Sequence, residues 1–276
     1  MGSLMLLFAI DLFSLSFFQE PNPIRASDWC SLQPCTNIFG YTINQLSSSI
    51  LVYALSIYTC YLAFKLLSQR GIHLSKLYWG LSLLLGGTGA LAAGTSFQAF
   101  AYEIKCAGKV FCSQDSHWEI AYYLLTASSG VLMLIGFLLS SLKRLPRPYL
   151  FGLAALYLGI YNYLCISSYM DGSATFASFN FMLVYMSPVY AFILGVSIFN
   201  YLKNTSPIHS AYLRAWGILF LTIVFYCLYE YTEMTSLLWQ YKIWFSSNDV
   251  LHIGMFVWLI YLSKQVLPKI TDYQVG

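Results

Sequence analysis

The stretch IWFSSNDVLHIGMFVWLIYLS, from Ile243 to Ser263, decides the fold class of this chain. At about 20 residues it is long enough for a helix to cross the roughly 30 Å apolar core of a bilayer. It also holds an acid and an imidazole, Asp249 and His252, which are three residues apart and therefore share one face of a helix. Ionisable groups at membrane depth are rare, costly and usually functional, so this pair is the first candidate site.

Further apolar runs of similar length predict an integral membrane protein. Of 276 residues, 58% are hydrophobic and 9% are charged, and the mean hydropathy is +0.64, whereas about 25% of a soluble domain is charged. We therefore expect an all-α bundle of seven transmembrane helices. The seven runs are 45–67, 77–102, 118–142, 148–168, 175–202, 212–232 and 243–263. The predicted domains are an outer N-terminal segment at 1–44, a membrane domain at 45–267 and a short cytoplasmic tail at 268–276.

The composition also narrows the function. The net charge is +3 without a basic run, so no nucleic acid is expected as a partner. The sequence holds no Gly-rich phosphate loop and no CxxC pair, which removes the common nucleotide-binding and zinc-ribbon classes. The expected partners are membrane lipids and a small or lipidic ligand, and the expected location is a plasma, inner or endomembrane.

Positive charges predict the orientation of the bundle. Ten Lys and Arg residues flank loops on one side of the predicted membrane, and four lie on the other, so the N-terminus is expected outside and the C-terminus in the cytoplasm. The ten are Lys65, Arg70, Lys76, Lys143, Arg144, Arg147, Lys203, Arg214, Lys264 and Lys269, and the four are Arg25, Lys105, Lys109 and Lys242. His73 and His209 are expected in cytoplasmic loops, where they need no further explanation. The inner half of the bundle is expected to be mostly Leu, Ile, Phe and Gly.

Four cysteines, Cys30, Cys35, Cys106 and Cys112, fall in two loops on the predicted outer side. An even set on an oxidising face favours disulfides, although four cysteines allow three pairings and the sequence does not choose among them. A four-cysteine metal site is the alternative, for which the gaps within the loops are poor. Residues 1–18 are apolar but include Asp11, and they fit an uncleaved interfacial helix, a signal peptide or an apolar tail.

Polar side chains from five of the seven runs are expected to converge in the outer half of the bundle. They include Ser96, Gln98 and Tyr102 in the second run, Glu119 in the third, Ser167 and Ser168 in the fourth, Glu230 in the sixth, and Asn248, Asp249 and His252 in the seventh. Each group has a structural alternative. Ser96 and Gln98 fit bonds between neighbouring helices, Glu119 fits a solvated helix end, and Asp249 with His252 fits a bond that locks two helices.

Three kinds of chemistry fit Asp249 and His252. The carboxylate could orient the imidazole as a general base, or both could ligate a divalent metal together with a third ligand such as Glu119. They could also pass protons in a transporter or sensor. In an enzyme, the catalytic residues would be Asp249, His252 and Ser96, and the substrate would contact Gln98, Asn248, Glu230 and Tyr102.

Three short motifs add a family resemblance. They are Gly94-Thr95-Ser96-Phe97-Gln98-Ala99-Phe100 in the second run, Tyr185-Met186-Ser187-Pro188 in the fifth and Asn248-Asp249-Val250-Leu251-His252 in the seventh. With seven helices and an outside N-terminus, the layout over roughly residues 45–263 resembles the alkaline ceramidase-like membrane hydrolases of the CREST superfamily. The resemblance implies a zinc site, built there from Ser and His on the second helix, Asp on the third and His on the seventh. It also implies hydrolysis of an amide bond in a lipid.

The chain departs from that pattern at two positions. Gln98 stands where the relatives have the second-helix histidine, and Phe256 stands where a second histidine would follow His252. A zinc ion would therefore need carboxylates, such as Asp249, Glu119 or Glu230. Two functions follow as hypotheses. The first is a metal-dependent lipid amidase or related hydrolase, with zinc as the candidate metal and His252 and Asp249 as metal ligand or base. The second is a non-catalytic receptor, carrier or assembly factor that binds a small or lipidic ligand in the outer-half polar pocket.

Overall fold

The computed structural model describes residues 24–113, 115–142, 146–173, 175–203 and 207–272, so the prediction for residues 1–18 lies outside the described residues. The described chain is predominantly helical and includes one small antiparallel sheet of two strands. Seven helices are long and apolar enough to cross a membrane. The predicted helical class and the seven long apolar helices are confirmed, while the orientation in a membrane stays a prediction.

The helices and strands have the following bounds. The long helices are α1 Leu46–Ser68, α2 Leu74–Ala93, α3 His117–Ser141, α4 Arg147–Met170, α5 Phe179–Leu202, α6 Pro207–Tyr231 and α7 Ser247–Tyr261. Helix α2 continues through a π-helical segment, Gly94–Ala99, and α7 through another, Leu262–Val266. The short helices are Ala26–Asp28, Trp29–Leu32, Ala101–Lys105, Met234–Gln240 and Leu267–Lys269, and the strands are β1 Cys35–Ile38 and β2 Tyr41–Asn44.

Successive long helices alternate in direction, so the bundle has two ends. We call the end that holds the N-termini of α1, α3, α5 and α7 the cysteine end, because both disulfides lie beside it, and the other end the basic end. The N-termini of α1 and α7 meet at the cysteine end, where Ser48 bonds to Asp249. Eight of the ten predicted cytoplasmic cations are described, and they belong to the basic end. The other two, Lys143 and Arg144, lie outside the described residues.

Helix α3 lies at the centre of the bundle, since 61% of its most apolar stretch is buried, against 11% for α4. Helix α3 approaches α2 closely at a glycine, and α2 approaches α1 closely at another. A Cβ atom on Gly87 would lie 2.6 Å from Sγ of Cys60, and one on Gly136 would lie 3.0 Å from the backbone nitrogen of Trp79. Small residues let helix backbones approach in this way. Adding a methyl group at either glycine would cost about 1–3 kcal/mol by overpacking.

Pro188 interrupts the backbone hydrogen bonding of α5, because proline has no N–H to donate to the carbonyl of Val184. The Ser187 hydroxyl donates to that carbonyl instead, over 2.8 Å. Tyr157 of α4 donates its hydroxyl to the carbonyl of Tyr185, and Tyr185 returns a bond of 2.7 Å to the carbonyl of Tyr157. Neighbouring side chains thus satisfy the carbonyls around the proline, and packing between α4 and α5 accounts for the motif from Tyr185 to Pro188.

The basic end is more polar inside than the sequence predicted. His209 lies within α6 and is only 1% exposed. One turn further along, the Tyr212 hydroxyl lies 3.2 Å from the hydroxyl of Ser140 on α3, and its ring stacks on Trp79 of α2. The placement of His209 in a loop is wrong, because α6 begins at Pro207, and proline favours the first position of a helix.

The chain after α7 folds back against the start of α2. The Asp272 carboxylate accepts the backbone N–H groups of Leu74 at 3.0 Å and Ser75 at 2.7 Å. The backbone N–H of Asp272 donates to Nδ1 of His73 over 3.3 Å. A carboxylate at a helix N-terminus satisfies free N–H groups and favours the helix dipole. The described part of the predicted tail is therefore packed against the bundle, and Ile270 is fully buried.

Candidate functional site

Asp249 is completely buried in the first turn of α7. Its carboxylate accepts the hydroxyl of Ser47 at 3.0 Å, the hydroxyl of Ser48 at 2.9 Å and the backbone N–H of Ser246. Ser246 and Asp249 form a capping box, in which an acid reaches back to the residue that starts the helix. The carboxylate therefore begins α7 and also joins it to α1.

Two further bonds hold the same turn of α7. The Asn248 side-chain amide donates to the side-chain oxygen of Gln45 over 3.2 Å, and the Ser247 hydroxyl donates to the Glu230 carboxylate at the end of α6. We call residues Ser246–Asp249 and these partners the α7 junction. Asn248 and Glu230, predicted to contact a substrate, are thus brought beside Asp249 and are engaged by the chain itself.

His252 lies one turn further into the bundle, on the same face of α7 as Asp249, and is 7% exposed. Among the described residues, its Nδ1 atom has no hydrogen-bond partner. The three groups that donate to the Asp249 carboxylate are two serine hydroxyls and a backbone N–H. The predicted Asp–His bond is therefore wrong: the first turn of α7 and the serines of α1 hold the Asp249 carboxylate instead.

The predicted residues of the second run lie in and beside the π-helical segment Gly94–Ala99. Ser96 is fully buried and its hydroxyl donates to the carbonyl of Ala92 in the preceding turn, over 3.2 Å. Gln98 is 6% exposed, and its side-chain oxygen has no hydrogen-bond partner among the described residues. Tyr102 is half-buried, and its backbone N–H donates to Asn44. Because π-helical turns frequently occur at functional sites, Gln98 is the more informative residue.

The segments that carry Gln98 and His252 pack against the same part of α1. A Cβ atom on Gly94 would lie 2.4 Å from a methyl group of Val52, and α7 is bonded to Ser47 and Ser48. The first two turns of α1 therefore support both segments. This places two buried, unpartnered polar side chains in the cysteine-end half of the bundle.

Glu119, predicted as a metal ligand, has a structural role at the start of α3. It forms a capping box with Ser116, and its carboxylate pairs with the ammonium group of Lys105. Lys105 also lies over the ring of Phe97, 5.3 Å from the centroid. The carboxylate is 1% exposed, so the alternative of a solvated helix end is wrong. Burial is tolerated because the charge is paired and hydrogen-bonded.

The donor set does not fit a zinc ion. Among the described residues, no three His, Cys, Asp or Glu side chains lie close enough together to hold a metal, whereas a catalytic zinc site usually has three protein ligands. Asp249 is held by serines, and Glu119 is held by Lys105. His252 is the remaining predicted ligand, and its Nδ1 atom has no hydrogen-bond partner among the described residues.

The cysteines form two disulfides, each within its own loop. Cys30 pairs with Cys35 at a Cα separation of 5.5 Å, and Cys106 pairs with Cys112 at 4.2 Å. Both lie at the cysteine end, and the structure thereby selects one of the three pairings that the sequence left open. The prediction of disulfides is confirmed over that of a four-cysteine metal site.

The sequence does contain a signal for the helix-capping role of the two acids. Ser116-x-x-Glu119 and Ser246-x-x-Asp249 both match the capping-box pattern that precedes an apolar run. The sequence does not identify Lys105 or the serines of α1 as partners of these acids. Lys105 reads as a loop charge, and nothing in the sequence pairs Ser48 with a residue some 200 positions away.

The fold and site define a class of protein: a seven-helix bundle of membrane-spanning dimensions with buried polar groups near its cysteine end. A scan against models of protein families found no match, and neither did searches of curated proteins and of solved structures. The relationship to alkaline ceramidases therefore stays a prediction from the motifs.

Proposed function

We propose that this chain is a multi-pass membrane protein that binds a lipidic or small amphipathic ligand in the cysteine-end half of its bundle. The observation that carries the proposal is the pair of unpartnered polar groups, the Gln98 side-chain oxygen and Nδ1 of His252. Leaving a buried polar group unpaired costs about 1–3 kcal/mol. A ligand that supplies the missing hydrogen bonds would recover that free energy on binding.

The chemistry of the two groups limits the ligand. The Gln98 oxygen accepts a hydrogen bond, so it requires a hydroxyl or amide N–H from the ligand. A neutral imidazole at His252 can donate or accept, depending on which nitrogen carries the proton. The carboxylates nearby are already bonded within the chain, so a cationic ligand has no free anion to pair with at Asp249. An uncharged headgroup that bears hydroxyl or amide groups, attached to an apolar chain, fits these requirements.

The competing proposal is the metal-dependent lipid amidase that the family resemblance implies. Its substrate would carry the same hydroxyl and amide groups, so ligand chemistry alone does not separate the two functions. They differ in the metal, because hydrolysis of that kind would need zinc at His252 with ligands other than the carboxylates engaged at Asp249 and Glu119. The positions of those carboxylates favour binding without a metal.

The test compares lipids and metals that remain with the purified protein. Wild type, Gln98→Leu and His252→Leu are purified in mild detergent, with and without chelator, and bound molecules are identified by native mass spectrometry and lipid extraction. His209→Leu is the matched control, because His209 is also a buried histidine with an unpartnered Nδ1, at the opposite end. Elemental mass spectrometry of the same samples measures zinc.

We expect one hydroxyl- or amide-bearing lipid to remain bound to wild type and to His209→Leu, with or without chelator. Binding should fall at least tenfold in Gln98→Leu and in His252→Leu, which corresponds to about 1.4 kcal/mol. Equal retention in all four proteins would contradict the proposal. One equivalent of zinc that is lost only in His252→Leu would favour the amidase instead.

A further inference from the structure

The hairpin of β1 and β2 has an unusual tip. The strands pair from Cys35 with Asn44 to Ile38 with Tyr41, which leaves Phe39 and Gly40 as the two turn residues. Their φ angles are 53° and 85°, and a two-residue turn of type I′ requires positive φ at both positions. Gly or Asn is preferred at the first position, because Gly has no Cβ atom and the short polar side chain of Asn can hydrogen-bond locally, whereas other side chains are strained there. Phe39 therefore occupies a position that favours a small polar residue.

The side chain of Phe39 has no packing role that would explain this choice. It is 97% exposed, the highest value for a large apolar side chain in the described part of the chain. Tyr41, across the turn, is also exposed. Strained backbone that presents a fully exposed aromatic ring is typical of residues kept for a function outside the fold.

The hairpin is held firmly at its base and along one edge. The disulfide between Cys30 and Cys35 closes the entry to β1. The backbone N–H of Thr42 donates to the Glu103 carboxylate over 2.7 Å, and Asn44 accepts the backbone N–H of Tyr102. These bonds fix the position of the tip relative to the bundle.

The tip lies level with the end of a long apolar helix. The ring of Tyr41 meets the ring of Phe100 edge to face, with centroids 6.4 Å apart. Phe100 directly follows Ala99, where the span Leu74–Ala99 ends. Because the base of the hairpin contacts Tyr102 and the tip contacts Phe100, the hairpin does not extend away from the bundle. Its tip is at the depth where a bilayer that surrounds the helices would have its headgroup region.

We propose that Phe39 and Tyr41 form an interfacial anchor that inserts into the leaflet at the cysteine end of the bundle. Aromatic side chains are enriched at this depth, because the ring is apolar while the tyrosine hydroxyl reaches water or headgroups. The strained turn directs Phe39 outward, and the disulfide and Glu103 hold it there. The anchor depends on insertion of the seven helices into a membrane and is independent of the ligand proposed for Gln98 and His252.

Photo-cross-linking tests the anchor. The photoreactive residue p-benzoylphenylalanine is placed at position 39, which changes an exposed ring and leaves the core intact, and the full chain is reconstituted in phosphatidylcholine–phosphatidylglycerol nanodiscs. The same residue at Ile57, a 70% exposed position in the middle of α1, is the positive control for lipid contact. The position-39 variant irradiated in lipid-free detergent gives the background.

We expect lipid adducts at position 39 in a yield within threefold of that at position 57, identified by mass spectrometry of the cross-linked peptide. Adducts to a second copy of the chain, or to scaffold protein, in place of lipid would overturn the proposal. So would background yield at position 39 while position 57 reacts with lipid. Background yield at both positions would overturn membrane insertion and the anchor together, whereas ligand binding through Gln98 is measured separately.

Discussion

The starts of α3 and α7 are built alike and used differently. Each begins with a serine and an acid three residues later that form a capping box, Ser116 with Glu119 and Ser246 with Asp249. Both acids are buried at the cysteine end of the bundle. Glu119 pairs with the positive charge of Lys105, whereas the Asp249 carboxylate is held by neutral donors.

The two helix starts differ in whether the partner of the capping acid is charged. Lys105 brings a second charge into the protein, so each member of that pair depends on the other to offset the loss of hydration. The serine hydroxyls that reach Asp249 are neutral and can turn to meet a different acceptor. Replacing the capping acid should therefore lower the free energy of unfolding more at the start of α3 than at the start of α7. The same comparison shows that an acid in an apolar run need not be catalytic when it also caps a helix.

The largest effect is expected at Glu119. Replacing Glu119 by Gln removes the negative charge that faces the Lys105 ammonium, whose side chain is 11% exposed. Breaking a buried ion pair in this way costs about 3–5 kcal/mol. We expect the free energy of unfolding, measured by denaturant titration in detergent, to fall by that amount.

The double variant Glu119→Gln with Lys105→Met is the control. It removes both charges and keeps an apolar side chain over Phe97, so it should regain most of the lost stability. Glutamine can still accept the Ser116 N–H, so a double variant as unstable as Glu119→Gln alone would show that the loss does not come from the broken ion pair.

A smaller loss is expected at Asp249. Asparagine keeps one side-chain oxygen, and the hydroxyls of Ser47 and Ser48 can rotate toward it, so Asp249→Asn should cost about 2 kcal/mol from weakened charge-assisted bonds. Ser48→Ala should cost about 1 kcal/mol, because it removes one donor to the carboxylate. Both values are measured by the same denaturant titration.

A double-mutant cycle between Asp249 and Ser48 sharpens the comparison with Glu119. The two losses should be less than additive by about 0.5–1 kcal/mol, as expected for residues in direct contact. Additive losses would show that the Ser48 hydroxyl does not stabilise the carboxylate, and the joint between α1 and α7 would then rest on other contacts.

Much of the fold followed from the sequence because membrane-length apolar runs have few alternatives. The start of the last helix shows the limit of that reasoning. The apolar run from Ile243 onward predicts a helix there, but the helix begins only at Ser247, where the capping box starts it. Similarly, α6 begins at Pro207 instead of residue 212, which carries His209 into the core.

The candidate site was less predictable, since it depends on contacts distant in sequence. Depth along the helices correctly placed Gln98 and His252 in the same half of the bundle. It did not show that Ser47 and Ser48 would donate hydrogen bonds to Asp249, or that Lys105 would pair with Glu119. Polar residues at matching depth can belong to different helix contacts, so depth alone does not decide which side chains are left unpartnered.

The smallest effect on stability is expected at a third carboxylate, Asp272. This residue lies near the C-terminus of the chain and caps the start of α2 at the basic end. Burial raises the pKa of this carboxyl, but hydrogen bonds from Ser75 and Leu74 lower it by more, so the pKa lies below its ordinary value of 3.8. A depressed folded-state pKa means that the stabilisation is present above the unfolded pKa and is lost as the pH falls through the folded pKa. The partly exposed site limits it to about 0.5 kcal/mol.

Unlike the capping acids of α3 and α7, Asp272 should therefore report on acidification without disturbing the core. Amide hydrogen exchange at Leu74 and Ser75 should quicken in Asp272→Asn at pH 7, because asparagine lacks the charge that favours the helix N-terminus. The variant should lose less of its remaining protection than wild type when the pH is lowered below the ordinary aspartate range. Equal acid sensitivity in both proteins would mean that another carboxyl group controls the start of α2.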